Sequence, residues 1–236
     1  MFDLKTVPEI VIKEINYKDI EIVKEWDRPQ TYRLFNKGIQ WMYLDKYTNK
    51  EIKEFYSQYD MAYGDVLISG FGFGILTCWL ASKPEVNSVT VLEISKDIYD
   101  IFLMNNELPD KVNVIITDAS EYKTNKHFDC LFLDHYETNT NEWVFKDIKN
   151  IINNIPNHDL LWFWSLEEKY SEVMFNIKKE ELVKTILWDC YIDFYAKYDE
   201  FKNNFLNIKT LPNLNREKFN EYMYIYSDRL GYSTSL

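Results

Sequence analysis

Three closely spaced glycines follow an apolar segment in the first half of the sequence. Residues 66–74 read Val-Leu-Ile-Ser-Gly-Phe-Gly-Phe-Gly, and apolar residues resume at Ile75. An apolar strand that leads into such a turn and then into a helix is typical of a cofactor site. The first glycine allows the sharp turn, the second lets a ligand approach the backbone, and the third lets helix and strand pack closely. Unpaired N–H groups at the helix start suit polar ligand groups such as a carboxylate. The residues that we expect to bind a cofactor here are Gly70, Phe71, Gly72 and Gly74.

An acidic residue closes the next predicted strand. Glu93 stands 23 residues after Gly70, at the end of the apolar segment Ser88–Glu93. A carboxylate in this place can accept hydrogen bonds from both hydroxyls of a ribose. Because residue 75 is Ile, the Gly-x-Gly-x-x-Gly pattern of nicotinamide dinucleotide sites is not met.

A second pair of reactive side chains follows another apolar segment. Asp134 ends the predicted strand Asp129–Asp134, and His135 comes next. Ligands of open α/β sheets bind outside the carboxyl ends of the strands. Asp134 could orient or deprotonate an amine there, and His135 could act as a base near neutral pH. We predict that both are catalytic; a loop histidine with a local hydrogen bond stays open as the alternative for His135.

These side chains need a scaffold, and the sequence indicates one. Apolar strands alternate with helical segments, which is typical of a parallel sheet covered on both faces. We therefore predict an α/β fold with a Rossmann-like, doubly wound, mostly parallel sheet. The predicted strands are Val66–Ser69, Ser88–Glu93, Val112–Thr117, Asp129–Asp134 and Asp159–Trp164. The predicted helices are Ile75–Ser82, Lys96–Asn105 and Asn141–Asn154.

The flanking segments have different patterns. We predict an N-terminal β-hairpin unit over residues 1–47, and residues 48–236 are assigned to the Rossmann-like domain with a helical C-terminal segment. The predicted hairpin strands are Ile10–Ile15 and Ile20–Val23, with further extended structure in residues 31–35 and 39–44. The other predicted elements are a helix that begins with the capping pair Thr48 and Glu51, helical structure over residues 167–207, and a last strand over residues 222–226.

Composition excludes several classes of function. The formal net charge is −11 and no basic patch interrupts it, so duplex nucleic acid is not an expected partner and a cationic or neutral substrate fits better. Three cysteines and three histidines are dispersed, so no metal site is expected. The segment Val66–Ala81 is short and contains three glycines, so no membrane partner is expected. With Asp3 and Lys5 in place of an export signal, we expect a cytoplasmic protein.

In this order the motifs resemble those of class I S-adenosylmethionine-dependent methyltransferases, over about residues 60–165. The resemblance implies S-adenosylmethionine as the cofactor. It also implies that Asp118 and Ala119, after the third strand, bind adenine through the acid and a backbone N–H. It places Asp134 beside both cofactor and substrate.

Within that superfamily the chain is most similar to the spermidine synthase-like branch. Ile68 stands two residues before Gly70, where most methyltransferases have an acid, and Glu93-Ile94-Ser95 resembles the Glu-Ile-Asp of that branch, which adds Ile94 to the implied cofactor site. Three features depart from the branch. Phe73 replaces an acid of the glycine turn, and residues 134–138 lack the Asp-Pro pair. The N-terminal Leu-Asp-Gly-x-x-Gln of the branch is matched here only by Leu44-Asp45.

Three functions therefore stay open. The first is methyl transfer to a small-molecule or protein acceptor, and the second is aminopropyl transfer from decarboxylated S-adenosylmethionine. The third is a non-catalytic Rossmann module whose aromatic C-terminal helices bind a partner. The sequence does not decide the acceptor or whether the chain forms a homodimer.

Overall fold

The computed structural model describes residues 4–28, 30–46, 51–52, 55–135, 147 and 150–163. Within these ranges the chain forms an antiparallel sheet of four strands and a parallel sheet of five. The predicted fold class, a Rossmann-like sheet behind a small N-terminal β unit, is confirmed.

The N-terminal sheet is a meander in which each strand pairs with the next in the chain. Its strands are β1 (Ile15–Tyr17), β2 (Ile20–Lys24), β3 (Thr31–Asn36) and β4 (Ile39–Asp45). The buried apolar residues of this sheet are Ile20 and Ile22 in β2, Leu34 in β3 and Leu44 in β4. The paired residues Thr31 and Asp45 of β3 and β4 are also buried.

The strand predicted over Ile10–Ile15 is wrong, because β1 begins only at Ile15. Val11 pairs with a side chain instead of a strand. The Oδ1 atom of Asn106 accepts a hydrogen bond from the Val11 N–H at 2.8 Å, and its Nδ2 donates to the Val11 carbonyl at 3.0 Å. An asparagine amide thus offers the same donor and acceptor as a neighbouring strand, so residue periodicity alone cannot distinguish the two arrangements.

The five-stranded sheet is entirely parallel and has the spatial order β7-β6-β5-β8-β9. Its strands are β5 (Gly64–Ser69), β6 (Val86–Glu93), β7 (Val112–Ile116), β8 (Phe128–Leu133) and β9 (His158–Phe163). The helices are α1 (Tyr56–Met61), α2 (Ile75–Ser82) and α3 (Lys96–Leu103), and residues 150–154 are also helical.

This order is that of a doubly wound sheet. The chain builds outward from β5 through β6 to β7, then returns to the other side of β5 to form β8 and β9. The direction of winding therefore reverses between β5 and β8. In open α/β sheets, ligands bind outside the carboxyl ends of the strands at this switch point. In this fold, the residues that follow Ser69 and Leu133 are therefore the ones expected to contact a ligand.

The core lies along both faces of the parallel sheet. Val66 and Leu67 in β5 and Phe128 and Phe132 in β8 are fully buried, as a central parallel strand requires. On α2, Trp79 is also fully buried and stacks on Tyr59, with ring centroids 4.3 Å apart. Such burial makes the strand ends rigid supports for the side chains beyond them.

The predicted boundaries agree closely with the structure for the described part of the Rossmann-like region. Helix α2 has the predicted bounds, and the five predicted strands are present with ends that differ by one or two residues. Thr48, residues 141–146, the C-terminal helical segment and the last predicted strand lie outside the described residues. Of the helices in the described ranges, none has the length and apolarity needed to cross a membrane.

Candidate cofactor and transfer site

The glycine turn lies between β5 and α2, directly at the switch point. Gly70 has a φ of +92°, and a Cβ at this residue would lie 2.4 Å from the carbonyl oxygen of Asp134. The backbones after β5 and β8 therefore touch here, and only glycine fits between them. The Asp134 N–H donates to the Ser69 carbonyl at 3.0 Å, which extends the ladder between the two strands by one residue.

The second glycine approaches the N-terminal sheet. Gly72 has a φ of +52°, and a Cβ there would lie 2.8 Å from the Met42 sulfur of β4. The sequence predicts an open approach for a ligand at Gly72. In the structure, the nearest atom is the end of a flexible side chain, so β4 forms the wall over the turn.

The two phenylalanines of the turn are buried. Phe71 packs edge-on against Tyr99 and Phe102, with centroids 5.7 and 5.0 Å away, and Gly74 lies against the Phe102 ring. Phe73 is only 4% exposed. The side chains of the turn thus anchor it to α3, and its backbone faces the switch point.

Glu93, which the sequence predicts to accept hydrogen bonds from ribose hydroxyls, is hydrogen-bonded to the glycine turn. Its Oε2 accepts a hydrogen bond from the Phe71 N–H at 2.8 Å, and its Oε1 accepts one from the Ser95 N–H at 2.7 Å. Burial raises the pKa of Glu93, and the N–H donors of Ser95 and Phe71 oppose that rise. The carboxylate is therefore a buried acceptor that spans the ends of β5 and β6.

The other predicted cofactor residues lie at the same edge of the sheet. Ile94 follows Glu93 and is 60% exposed, which leaves an apolar side chain facing solvent at the end of β6. Asp118 follows β7, and its Oδ1 accepts hydrogen bonds from the N–H and the hydroxyl of Ser120, both at 2.8 Å. Ala119 is buried. The roles of these residues in binding adenine stay predictions.

Asp134 lies just past the end of β8 and has an unusual carboxyl group. Burial raises its pKa to about 6, against a smaller opposing effect of His135. Among the residues that the structure describes, none donates a hydrogen bond to this carboxyl. A carboxyl that exchanges its proton near neutral pH is suited to accept a proton from a substrate.

His135 has two hydrogen-bond partners that the sequence did not predict. Its Nδ1 lies 2.5 Å from the Ser69 hydroxyl, and its Nε2 lies 3.0 Å from the Asp147 carboxylate. Both ring nitrogens thus have partners inside the protein. Neither Ser69 nor Asp147 was predicted as a site residue, because each lies in an element whose pattern only indicates a strand or a helix.

A separate cluster lies at the opposite edge of the sheet. The side-chain ligand atoms of His127, Asp129 and Asp159 lie within 4.8 Å of one another, at or near the amino ends of β8 and β9. The His127 Nε2 is 2.9 Å from Asp159, and the Asp129 Oδ2 accepts from the Asp65 N–H at 2.6 Å.

The sequence matches no protein-family model and no curated protein. Solved structures to which the chain is similar include a spermidine synthase from Thermotoga maritima, with 14% identity over 62% of this chain and 53% of that chain and a TM-score of 0.43. N-methyltransferase NodS from Bradyrhizobium japonicum has 17% identity over 47% of this chain and 64% of its own, with a TM-score of 0.38. DhpI in complex with SAH has 16% identity over 50% of this chain and 58% of its own, with a TM-score of 0.39.

The chain thus spans less than two thirds of the length of each of these structures. Methyltransferases and spermidine synthases are the two groups that the sequence motifs resemble. The solved structures named above include a spermidine synthase and an N-methyltransferase.

Proposed function

We propose that this protein is an S-adenosylmethionine-dependent methyltransferase that acts on a small-molecule or protein acceptor. The observation that carries the proposal is the hydrogen bond from the Phe71 N–H to Glu93 at 2.8 Å. It joins the glycine turn to the acid at the end of the neighbouring strand, at the edge where doubly wound sheets bind ligands.

The residues present fit an adenosyl group. The Glu93 carboxylate accepts hydrogen bonds from the N–H groups of Phe71 and Ser95, and the Ile94 N–H also lowers its pKa. An ionised carboxylate offers about four acceptor positions, so Glu93 retains the capacity to accept from a ribose hydroxyl. Exposed Ile94 supplies an apolar surface beside that carboxylate for a base, with Asp118 and Ala119 at the neighbouring strand end.

When bound, S-adenosylmethionine supplies an electrophilic methyl group on a sulfonium. The protein's own contribution is to align an acceptor and to remove the proton that an amine loses on methylation. We assign Asp134 the role of accepting that proton, and its pKa of about 6, which keeps it mainly ionised at neutral pH, supports the assignment. The net charge of −11 favours a cationic or neutral acceptor.

Aminopropyl transfer is the second candidate, and one structural observation favours it. The N-terminal sheet contacts the glycine turn through Met42 and Gly72, and an N-terminal β unit before the Rossmann core is a feature of the spermidine synthase-like branch. Against it, the side chain of Phe73 is buried where that branch has an acid. Decarboxylated S-adenosylmethionine distinguishes the two functions.

Calorimetric titration with four ligands tests the proposal: S-adenosylmethionine, its demethylated product, decarboxylated S-adenosylmethionine and methylthioadenosine. We expect micromolar binding of the first two. Glu93→Gln should weaken that binding at least about tenfold, or about 1.4 kcal/mol, because an amide cannot accept from every donor that the carboxylate serves. Glu85→Gln, at an exposed acid beyond the other end of β6, is the matched control.

Exposed Ile94 allows a second variant that does not disturb the core, and Ile94→Ser should also weaken binding. A preference for decarboxylated S-adenosylmethionine and methylthioadenosine would replace methyl transfer by aminopropyl transfer. Absence of binding to any of the four ligands by folded protein would favour a non-catalytic module that binds a partner.

A further inference from the structure

Ser69, His135 and Asp147 form a continuous hydrogen-bonded chain beside Asp134. The Ser69 hydroxyl lies 2.5 Å from Nδ1 of His135, and Asp147 lies 3.0 Å from Nε2. The Asp134 N–H reaches the Ser69 hydroxyl oxygen at 3.2 Å. The chain therefore crosses from the end of β5 to the segment after β8 and on to residue 147.

One set of hydrogen-bond directions satisfies every group. An ionised Asp147 only accepts, so the proton between it and His135 belongs to Nε2. The Ser69 oxygen accepts from the Asp134 N–H, and its own proton can then be donated to Nδ1 of His135. Ser69 is fully buried, so its hydroxyl needs such an acceptor inside the protein.

With these hydrogen bonds formed, His135 cannot act as a base toward a substrate and Ser69 cannot act as a nucleophile. Both nitrogens of His135 are engaged, so proton transfer to a substrate would first break one of the two bonds. Ser69 has no exposed surface from which to attack a substrate. The arrangement resembles a Ser-His-Asp triad in composition, but burial removes the nucleophile that a triad needs.

The hydrogen bonds of Ser69, His135 and Asp147 instead hold the backbone before and after the Asp134 side chain. The Asp134 N–H bonds to both the carbonyl and the hydroxyl of Ser69, while its carbonyl oxygen rests against Gly70. The next residue, His135, is held by Asp147 on its far side. The backbone on both sides of the Asp134 side chain is therefore fixed.

We propose that Ser69, His135 and Asp147 are positioning residues that fix the direction of the Asp134 carboxyl in the transfer site. The inference deepens the proposed function, because it names the groups that orient its proton acceptor. In a protein that transfers a group to an amine, this arrangement separates the catalytic residue, Asp134, from the residues that hold it.

Imidazole nitrogen NMR tests the chain without any ligand. The protein has only three histidines, so removing them one at a time assigns the spectrum. We expect His135 to be a single tautomer with the proton on Nε2. Asp147→Ala should mix the tautomers, Ser69→Ala should shift the Nδ1 signal, and Asp147→Asn should keep the wild-type tautomer because its amide oxygen still accepts. The control His127→Gln, at the opposite edge of the sheet, should leave the His135 signals unchanged.

A carbon NMR titration of Asp134 tests the positioning role. In wild-type protein its carboxyl should titrate near pH 6. In Ser69→Ala and Asp147→Ala, a released side chain should gain access to water, and the midpoint should fall by about one pH unit. Urea unfolding at the same pH shows that each variant is folded. Asp147→Ala alone carries the test if Ser69→Ala does not fold, and Asp147→Asn is the control whose Asp134 midpoint should stay near that of the wild type.

Two results would overturn the inference. Unchanged His135 signals in both alanine variants would mean that the hydrogen bonds among Ser69, His135 and Asp147 do not form in solution. An unchanged Asp134 midpoint, with altered His135 signals, would mean that these hydrogen bonds form but do not position Asp134. Failure of the wild type to bind any adenosyl ligand would overturn the proposed function alone, since neither NMR readout depends on a ligand.

Once an acceptor is known, kinetics provide a further check. Asp147→Ala should lower kcat about 10- to 100-fold with little change in KM, because orientation acts on the transfer step more than on binding. Asp147→Asn should recover most of that loss. A change confined to KM would contradict a positioning role.

Discussion

The backbone of Gly70 lies directly against the carbonyl oxygen of Asp134, so that a Cβ at residue 70 would be 2.4 Å from that oxygen. Two segments that are distant in sequence thus meet at the point where the winding of the sheet reverses. The glycine turn and the backbone of Asp134 are parts of one close contact, and several predictions depend on it.

Gly70→Ala should destabilise the protein far more than a glycine replacement that only imposes backbone strain. Gly38 provides the matched control, because it has a φ of +77° and open space around it. We expect Gly38→Ala to lower the free energy of unfolding by about 1 kcal/mol and Gly70→Ala by about 3 kcal/mol, since a backbone oxygen must also move. Urea unfolding measures both, and equal losses would contradict the contact.

Gly72 and Met42 should be energetically coupled. Alanine at residue 72 meets the Met42 sulfur at 2.8 Å, and Met42→Ala removes that sulfur. In a double-mutant cycle we therefore expect the cost of Gly72→Ala to be about 1 kcal/mol smaller in the Met42→Ala background. Additive losses would show that β4 does not cover the turn in solution.

The carboxyl of Asp134 should make stability fall as pH rises from about 4 to about 6. Its folded pKa of about 6 lies above its ordinary value, so the folded state holds the proton over this window and the unfolded state does not. We expect Asp134→Asn to equal the wild type at pH 4 and to exceed it by about 2 kcal/mol at pH 8. The same variant should abolish transfer.

Unfolding of Asp134→Asn at the two pH values measures this effect. Asp110→Asn, at an exposed aspartate, is the control and should follow the wild type at both. If Asp134→Asn were no more stable than the wild type at pH 8, its carboxyl would not be desolvated.

His127 should stabilise the folded protein at low pH, whereas Asp134 affects stability at high pH. Its hydrogen bond to Asp159 raises the pKa of His127, so this contribution is fully present below the ordinary histidine value and is lost as pH rises through the folded value. The pair is about half exposed, so His127→Gln should cost only about 0.5 kcal/mol at pH 5.5. It should cost nothing at pH 9, and a loss that is the same at both values would contradict the assignment.

Much of the fold could be predicted because it depends on local pattern. The apolar segments of β5 and β8 are long enough to indicate buried parallel strands, and the glycines mark the turn that follows β5. The position of Glu93 at the same edge of the sheet as the glycine turn could also be predicted, because a parallel sheet brings the carboxyl ends of adjacent strands together. The segment at Val11 could not, because its partner is the single side chain of Asn106.

The hydrogen bonds of His135 to Ser69 and Asp147 could not be predicted from the sequence, for a different reason. Ser69 looks like any residue at the end of a strand, and Asp147 looks like any polar residue of a helix. Their relation to His135 exists only once β5, β8 and residue 147 are side by side. Neither composition nor spacing carries that information.

The bond between Val11 and Asn106 bears on where the chain could be divided. A polypeptide that began at Ile15 would keep all four strands of the N-terminal sheet. It would nevertheless lose Ile10–Ile12, which line the same cavity as Ile98 and Phe102 of α3. The short stretch ahead of β1 is thus joined to the Rossmann-like half by its contacts, and a shortened protein that retains every strand would still leave that helix without part of its cover.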